Sequence, residues 1–203
     1  MGSEMCIRDS TDTTNNNYSL INFTDSDGGS SSGCIGLQYI DHTNDYGDLC
    51  FITRGASGYG ERLRIDSSGN VGIGITPSPS STVVDVLQLG KGMTIMGNVN
   101  DDRATMAANL YLDAGTAFRR VMDGFSGRFS IEDGTMLWGL SGDGNAGAVV
   151  TVDTKMTLLN NGNLGIGTTT PQHLLHLKST ISGPTGIIIC LLYTSDAADE
   201  VVS

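Results

Sequence analysis

The chain has 203 residues, with 22 acidic against 11 basic side chains and a net charge of −11. That balance argues against a phosphate-binding surface, which needs clustered Lys and Arg to release counterions from nucleic acid. No apolar run reaches the ~20 residues that span a bilayer, so neither nucleic acid nor membrane insertion is expected. With 28 glycines, 16% charged residues and 6% aromatics, the composition suits turns and narrow β structure better than a large conventional core.

The ends read differently from the rest. Glu4-Met5-Cys6-Ile7-Arg8-Asp9 and Cys190-Leu191-Leu192-Tyr193-Thr194-Ser195 can be encoded by the two strands of one DNA segment. Residues 1–10 and 190–203 are therefore expected to be translated sequencing adapter on a metagenomic fragment, and are left out of fold reasoning. Their exclusion takes away five acids and one base and leaves a charge of −7. Of the four cysteines, Cys34 and Cys50 then remain; they form no CxxC pair or zinc-like cluster and read as small hydrophobes on strands, with a disulfide between them left open.

Residues 11–33 are polar, with Tyr18, Leu20, Ile21 and Phe23 predicting one short strand of a truncated module ahead of a long loop. Residues 34–82 read as β-hairpins and a first repeat. Ile35, Leu37 and Tyr39 alternate, Asp41-His42-Thr43-Asn44-Asp45 supplies turn formers, and Leu49 and Phe51 resume the alternation. Leu63-Arg64-Ile65-Asp66 is a further strand, followed by a turn in which Gly69 can take the left-handed conformation. In Val71-Gly72-Ile73-Gly74 the apolar residues share one face and the glycines leave the other bare, so that another backbone can come close; Pro77 then ends the ladder.

Residues 83–149 predict a small central β domain, from Val83, Val84, Val86, Leu87 and Leu89 through Met93, Ile95 and Met96 to Trp138. Within it, Asp101 to Leu112 has a competing reading as a short helix, from Arg103, Ala104, Met106, Ala107, Ala108 and Leu110. Residues 150–180 form a second repeat, because Asn160-Asn161-Gly162-Asn163-Leu164-Gly165-Ile166-Gly167 restates Ser67 to Gly74, with Met156 and Leu158 standing where Leu63 and Ile65 stand. His173-Leu174-Leu175-His176-Leu177 closes it as a strand, with His176 on the face opposite Leu175 and Leu177 and open to solvent. Gly142-Asp143-Gly144-Asn145-Ala146-Gly147-Ala148 reads as a worn third copy, and 181–189 as a truncated continuation. An isolated two-stranded unit is marginal in water, so these modules need stacking neighbours or identical chains about a shared axis.

Glu61-Arg62-Leu63-Arg64-Ile65-Asp66-Ser67-Ser68-Gly69-Asn70-Val71-Gly72-Ile73-Gly74, followed by Thr76-Pro77, resembles a motif of bacteriophage tail fibres, tail spikes and related virion appendages. Its second copy ends in Leu175-His176-Leu177, as that motif does, and Tyr39 to Arg62 is similar to the hairpin that feeds it. The resemblance covers roughly 34–80 and 150–180. It departs at Ile75, where Thr is usual, and at Leu158-Leu159 against Ile65-Asp66. It implies an all-β, elongated fold of β-hairpin or β-prism-like repeats intertwined as a homotrimer. It also implies a virion location and possible binding of a host-cell surface polysaccharide or outer-membrane receptor. In many relatives a C-terminal self-cleaving chaperone domain follows; none is recognisable here.

Candidate chemistry is sparse. The order G-x-x-G-x-G from Gly69 to Gly74 is not the dinucleotide pattern, so no cofactor is expected. His42, His173 and His176 lack partners at metal spacing, and Asp25-Ser26-Asp27-Gly28 and Asp143-Gly144-Asn145 lack the acidic residue that completes a calcium loop. Glu132-Asp133 and Asp101-Asp102 are nominal glycosidase pairs, but adjacent strand residues point to opposite faces, and no Ser/His/Asp set can be assembled. Trp138, Tyr111, Phe125 and Phe129 could line a sugar surface but are assigned to the central core. The expectation is a structural and adhesive segment with no catalytic, cofactor or metal residues. The alternatives are a polysaccharide-degrading tail spike fragment and a bacterial trimeric surface adhesin.

Overall fold

A computed structural model describes residues 5–8, 15–24, 31–80 and 82–179; the fragments 181–189 and 190–203 and the Asp25–Gly28 loop lie outside the described residues. Every described element is a strand. In chain order they are β1 (Met5–Arg8), β2 (Tyr18–Phe23), β3 (Gly33–Asp41), β4 (Tyr46–Gly55), β5 (Gly58–Ile65), β6 (Val71–Ile73), β7 (Val84–Leu89) and β8 (Met93–Asn98). There follow β9 (Ala104–Ala108), β10 (Leu110–Leu112), β11 (Phe118–Arg120), β12 (Ser126–Glu132), β13 (Thr135–Ser141), β14 (Asp153–Leu158), β15 (Leu164–Ile166) and β16 (Leu175–Leu177). The short helix weighed for Asp101 to Leu112 is not formed: Thr105 and Ala107 are buried while their neighbours are exposed, the period of a strand.

Fourteen strands make one sheet, ordered as in the sequence except that β9 pairs with β12 and the β10–β11 hairpin stands outside as its own two-stranded sheet. The ladder runs unbroken from the first hairpin through residues 83–149 into the second repeat. Met5–Arg8, assigned above to adapter, pairs antiparallel with β2. All pairings are antiparallel except β6 with β7 and β15 with β16.

Those two parallel pairs mark the repeat. In each copy a tight turn leads into a three-residue strand, and the chain then crosses over and returns parallel to it. Gly69 and Gly162 have φ of +88° and +87°, donating to the carbonyls of Asp66 and Leu159 at 2.9 Å. Gly74 and Gly167 donate in the same way to the Arg62 and Lys155 carbonyls.

The bare glycine face is where the crossover lands. A Cβ on Gly72 would lie 2.8 Å from Pro77 Cδ and closer still to the Ile75 carbonyl oxygen; on Gly165 it would meet the Thr168 carbonyl at 2.5 Å and Pro171 Cβ at 3.4 Å. The backbone that comes close is therefore the chain's own. Pro77 and Pro171 are both buried, closing the glycine gap as well as ending the ladder. Gly74 does not extend the bare face, because β6 stops at Ile73 and Gly74 turns at φ +70°.

The third copy is not formed. Gly142 to Ala148 is a loop between β13 and β14, tied to the hairpin by the Val149–Arg119 bridge and by hydrogen bonds such as Gly147 N–H to the Arg120 carbonyl at 2.9 Å and Arg120 Nη2 to the Gly142 carbonyl at 2.7 Å. The core gathers under that hairpin: Leu110, Leu112 and Val150 close over Val84, Val86, Met96 and Ala107 on one face of β7–β9, with Phe118 at the edge. The aromatics assigned to the central core are not in it. Phe125 is 73% exposed, Tyr111 is half-buried, and Phe129 and Trp138 pack on each other with centroids 5.2 Å apart on the opposite face of the sheet.

Candidate functional site

Strand pairing aligns the apolar halves of the alternation into rows across the sheet. One row runs Leu37, Leu49, Ile65, Val71, Leu87, Ile95, then Met106, Phe129, Trp138, Met156, Ile166, Leu177. A parallel row runs Ile21, Ile35, Phe51, Leu63, Ile73, Leu89, Met93. Not one of these side chains is buried, and Met106, Ile73 and Ile166 are 43–48% open. The other face, by contrast, holds Val86, Gln88, Thr94, Thr105, Ser130 and Thr157 buried.

The chain thus covers its more polar face and leaves its apolar face open. A continuous apolar patch of this extent marks an interaction surface. A concavity of about 450 Å³ on this face lies over Met106, Phe129 and Trp138, with Gly127 beside the rings and Lys155 at the rim. Lys155 reaches the rim because β14 carries one extra residue opposite Trp138 and Gly139.

A second feature escaped sequence reasoning. Asp48 and Arg64 are both buried on the glycine side of β4 and β5 and form an ion pair of 2.5 Å. Glu61 completes it by accepting from Arg64 Nε at 2.8 Å and Nη2 at 2.5 Å, while Asp48 Oδ1 accepts from the Ser67 backbone at 2.9 Å. The hydrogen bonds that Arg64 donates to Glu61, and then to Asp48, hold the guanidinium more firmly protonated than usual against its own desolvation. The signal in sequence was Arg64 set between Leu63 and Ile65, on the face shared with Gly72. In the second copy Thr157 occupies the corresponding place, with its hydroxyl buried and unpaired.

The singled-out titratable residues do not assemble into a reactive group. His42 stacks on Tyr39 at 4.6 Å and meets the Asn17 amide oxygen at 3.1 Å. His176 is half-buried and accepts from the Gln172 backbone at 3.4 Å, while Leu175 is 57% exposed; the expectation of an exposed His176 is reversed. His173 is exposed. Asp101 and Glu132 do come together, but around Arg103, at 3.7 and 2.7 Å, and Asp102 accepts from the Asp133 backbone at 3.0 Å. Asp143 caps its own turn through the Gly144 amide. Cys34 and Cys50 are free and buried; burial pushes both thiols up, Cys50 to about 11. They are diagonal rather than opposed across β3 and β4, Cys34 facing Ile52 and Cys50 facing Gly36. Among the described residues no group of three or more His, Cys, Asp or Glu could hold a metal ion, and no helix is long and apolar enough to cross a membrane.

No protein-family model matches the chain, and no curated protein matches it.

Proposed function

We propose that the chain is a structural and adhesive segment of a phage tail fibre or related virion appendage, a non-catalytic β shaft built from three copies. The observation that carries this is the open apolar face. Twelve strands contribute to one row of half-exposed Leu, Ile, Val, Met, Phe and Trp, and copies of the same sheet are its natural cover. Three sheets around one axis would cover those rows while leaving the β10–β11 lobe and the loops beside it facing outward for contact with a host surface. The repeated turns support the same reading, since the Gly72 and Gly165 crossovers are closed from within and leave the apolar side for partners.

Light scattering on the full chain tests it. The expected mass is three times the 21.3 kDa of the monomer, and a compact species at the monomer mass refutes the reading.

A further inference from the structure

On the face away from the apolar rows, β2–β5 curl. Their pairing slips at Tyr39/Asp41 and between Phe51 and Ile52, and such bulges bend and twist the strand that carries them. Gly36 deepens the curl, because a Cβ there would run into Leu20 and the Ser19 carbonyl. On this face lies a hollow of about 400 Å³, lined by Tyr18, Asn22, Ser31 and Tyr59 together with the apolar Leu20, Cys34 and Ile52.

Three properties of the hollow decide what it can take. No charged side chain lines it, so it offers nothing to an ionic ligand. Its walls are held in place: the Tyr59 hydroxyl donates to the Ser31 carbonyl at 2.7 Å and meets Ser31 Oγ at 2.9 Å. The Arg54 guanidinium also sits 5.6 Å from the Tyr59 ring centroid. Its polar groups are neutral donors and acceptors, namely the Asn22 amide, the Ser31 hydroxyl and two phenols, set beside two aromatic rings. Small-molecule sites of about 300–1,000 Å³ show the same mix of apolar wall and few placed polar groups. Rings that present an apolar face and a polar tip suit a ligand with both.

We propose that this hollow binds a neutral saccharide of one or two rings, its apolar ring face on Tyr18 or Tyr59 and its hydroxyls on Asn22 and Ser31. This rests on the adhesive reading above and gives it a location. The hollow lies on the side of the sheet that the apolar rows do not occupy, so assembly through those rows leaves it accessible.

The test is saturation-transfer NMR on the full chain with methyl glucoside, methyl galactoside, methyl rhamnoside and N-acetylglucosamine in turn, followed by titration of whichever responds. At least one glycoside is expected to take up saturation. Tyr59→Ala is expected to weaken its binding by about tenfold, and Tyr59→Phe, which keeps the ring and loses the Ser31 tether, by less. Asn22→Ala provides a second reading should Tyr59→Ala misfold, and Phe125→Ala, on the distant lobe, is expected to change nothing. The proposal is overturned if none of the four glycosides receives saturation, or if binding is unaltered in both Tyr59→Ala and Asn22→Ala. Light scattering separates the two proposals: a trimer that ignores sugars removes this hollow and keeps the shaft, and a monomer that binds them does the reverse.

Discussion

Replacing Gly72 by alanine tests the closure of the repeat directly. The new Cβ would stand 2.8 Å from Pro77 Cδ and nearer still to the Ile75 carbonyl oxygen, which is backbone and cannot swing aside. The crossover must lift. Overpacking of this kind costs about 1–3 kcal/mol. Lifting also draws the Ser78 amide away from Gln88 Oε1, now 2.9 Å apart, and Gln88 is fully buried; an acceptor stranded there costs a further 1–3 kcal/mol, approximately. The sum, about 2–6 kcal/mol, corresponds to a fall in melting temperature of at least 4 °C, roughly, in a chain of this size. The internal control is Gly69→Ala. Gly69 sits at φ +88° with nothing within 4 Å of a Cβ, so only the left-handed strain of about 1–2 kcal/mol applies. Thermal denaturation followed by circular dichroism ranks the two. If Gly72→Ala melts no lower than Gly69→Ala, the crossover does not bear on Gly72 as described.

Met106→Lys and Trp138→Lys place a charge in the middle of the open face, and light scattering is expected to show loss of association while circular dichroism of the isolated chain stays β-rich; persistence of the oligomer in both variants refutes the role of that face. Asp48→Asn leaves Arg64 buried with Glu61 alone, and an equilibrium urea titration is expected to show a loss of about 3 kcal/mol, the low end for a broken buried pair. Burial holds the Cys50 thiol protonated in the folded chain up to about 11, against an ordinary value of 9.0. The unfolded chain therefore releases this proton first, and stability falls as pH rises from 9 towards 11. Urea midpoints across that range should fall less steeply in Cys50→Ala, and an equal slope refutes the assignment. Iodoacetamide at pH 8 is expected to leave Cys50 of the folded protein unlabelled until urea is added, because the thiolate is the reactive form.

What sequence alone determined here follows from local geometry. Alternation with period two marked Ile35 to Tyr39 and Leu63 to Ile65 as strands, and the duplicated Gly-Asn-x-Gly turn placed Gly69 and Gly162 in the left-handed region. Both properties belong to a few consecutive residues and survive any packing. Alternation also shows which residues share a face, but not which face is covered, because cover comes from segments far away in the chain. Only the tertiary structure showed that Pro77 and Pro171 fold back over the glycines, and that the β10–β11 hairpin closes the Val86 side while Phe129 and Trp138 stay open. The pairing of β9 with β12 spans an excursion of residues 109–125, and Asp48 meets Arg64 through the register of β4 on β5. Such contacts depend on loop closure and on the competition of many surfaces for burial, and no short window of residues encodes them.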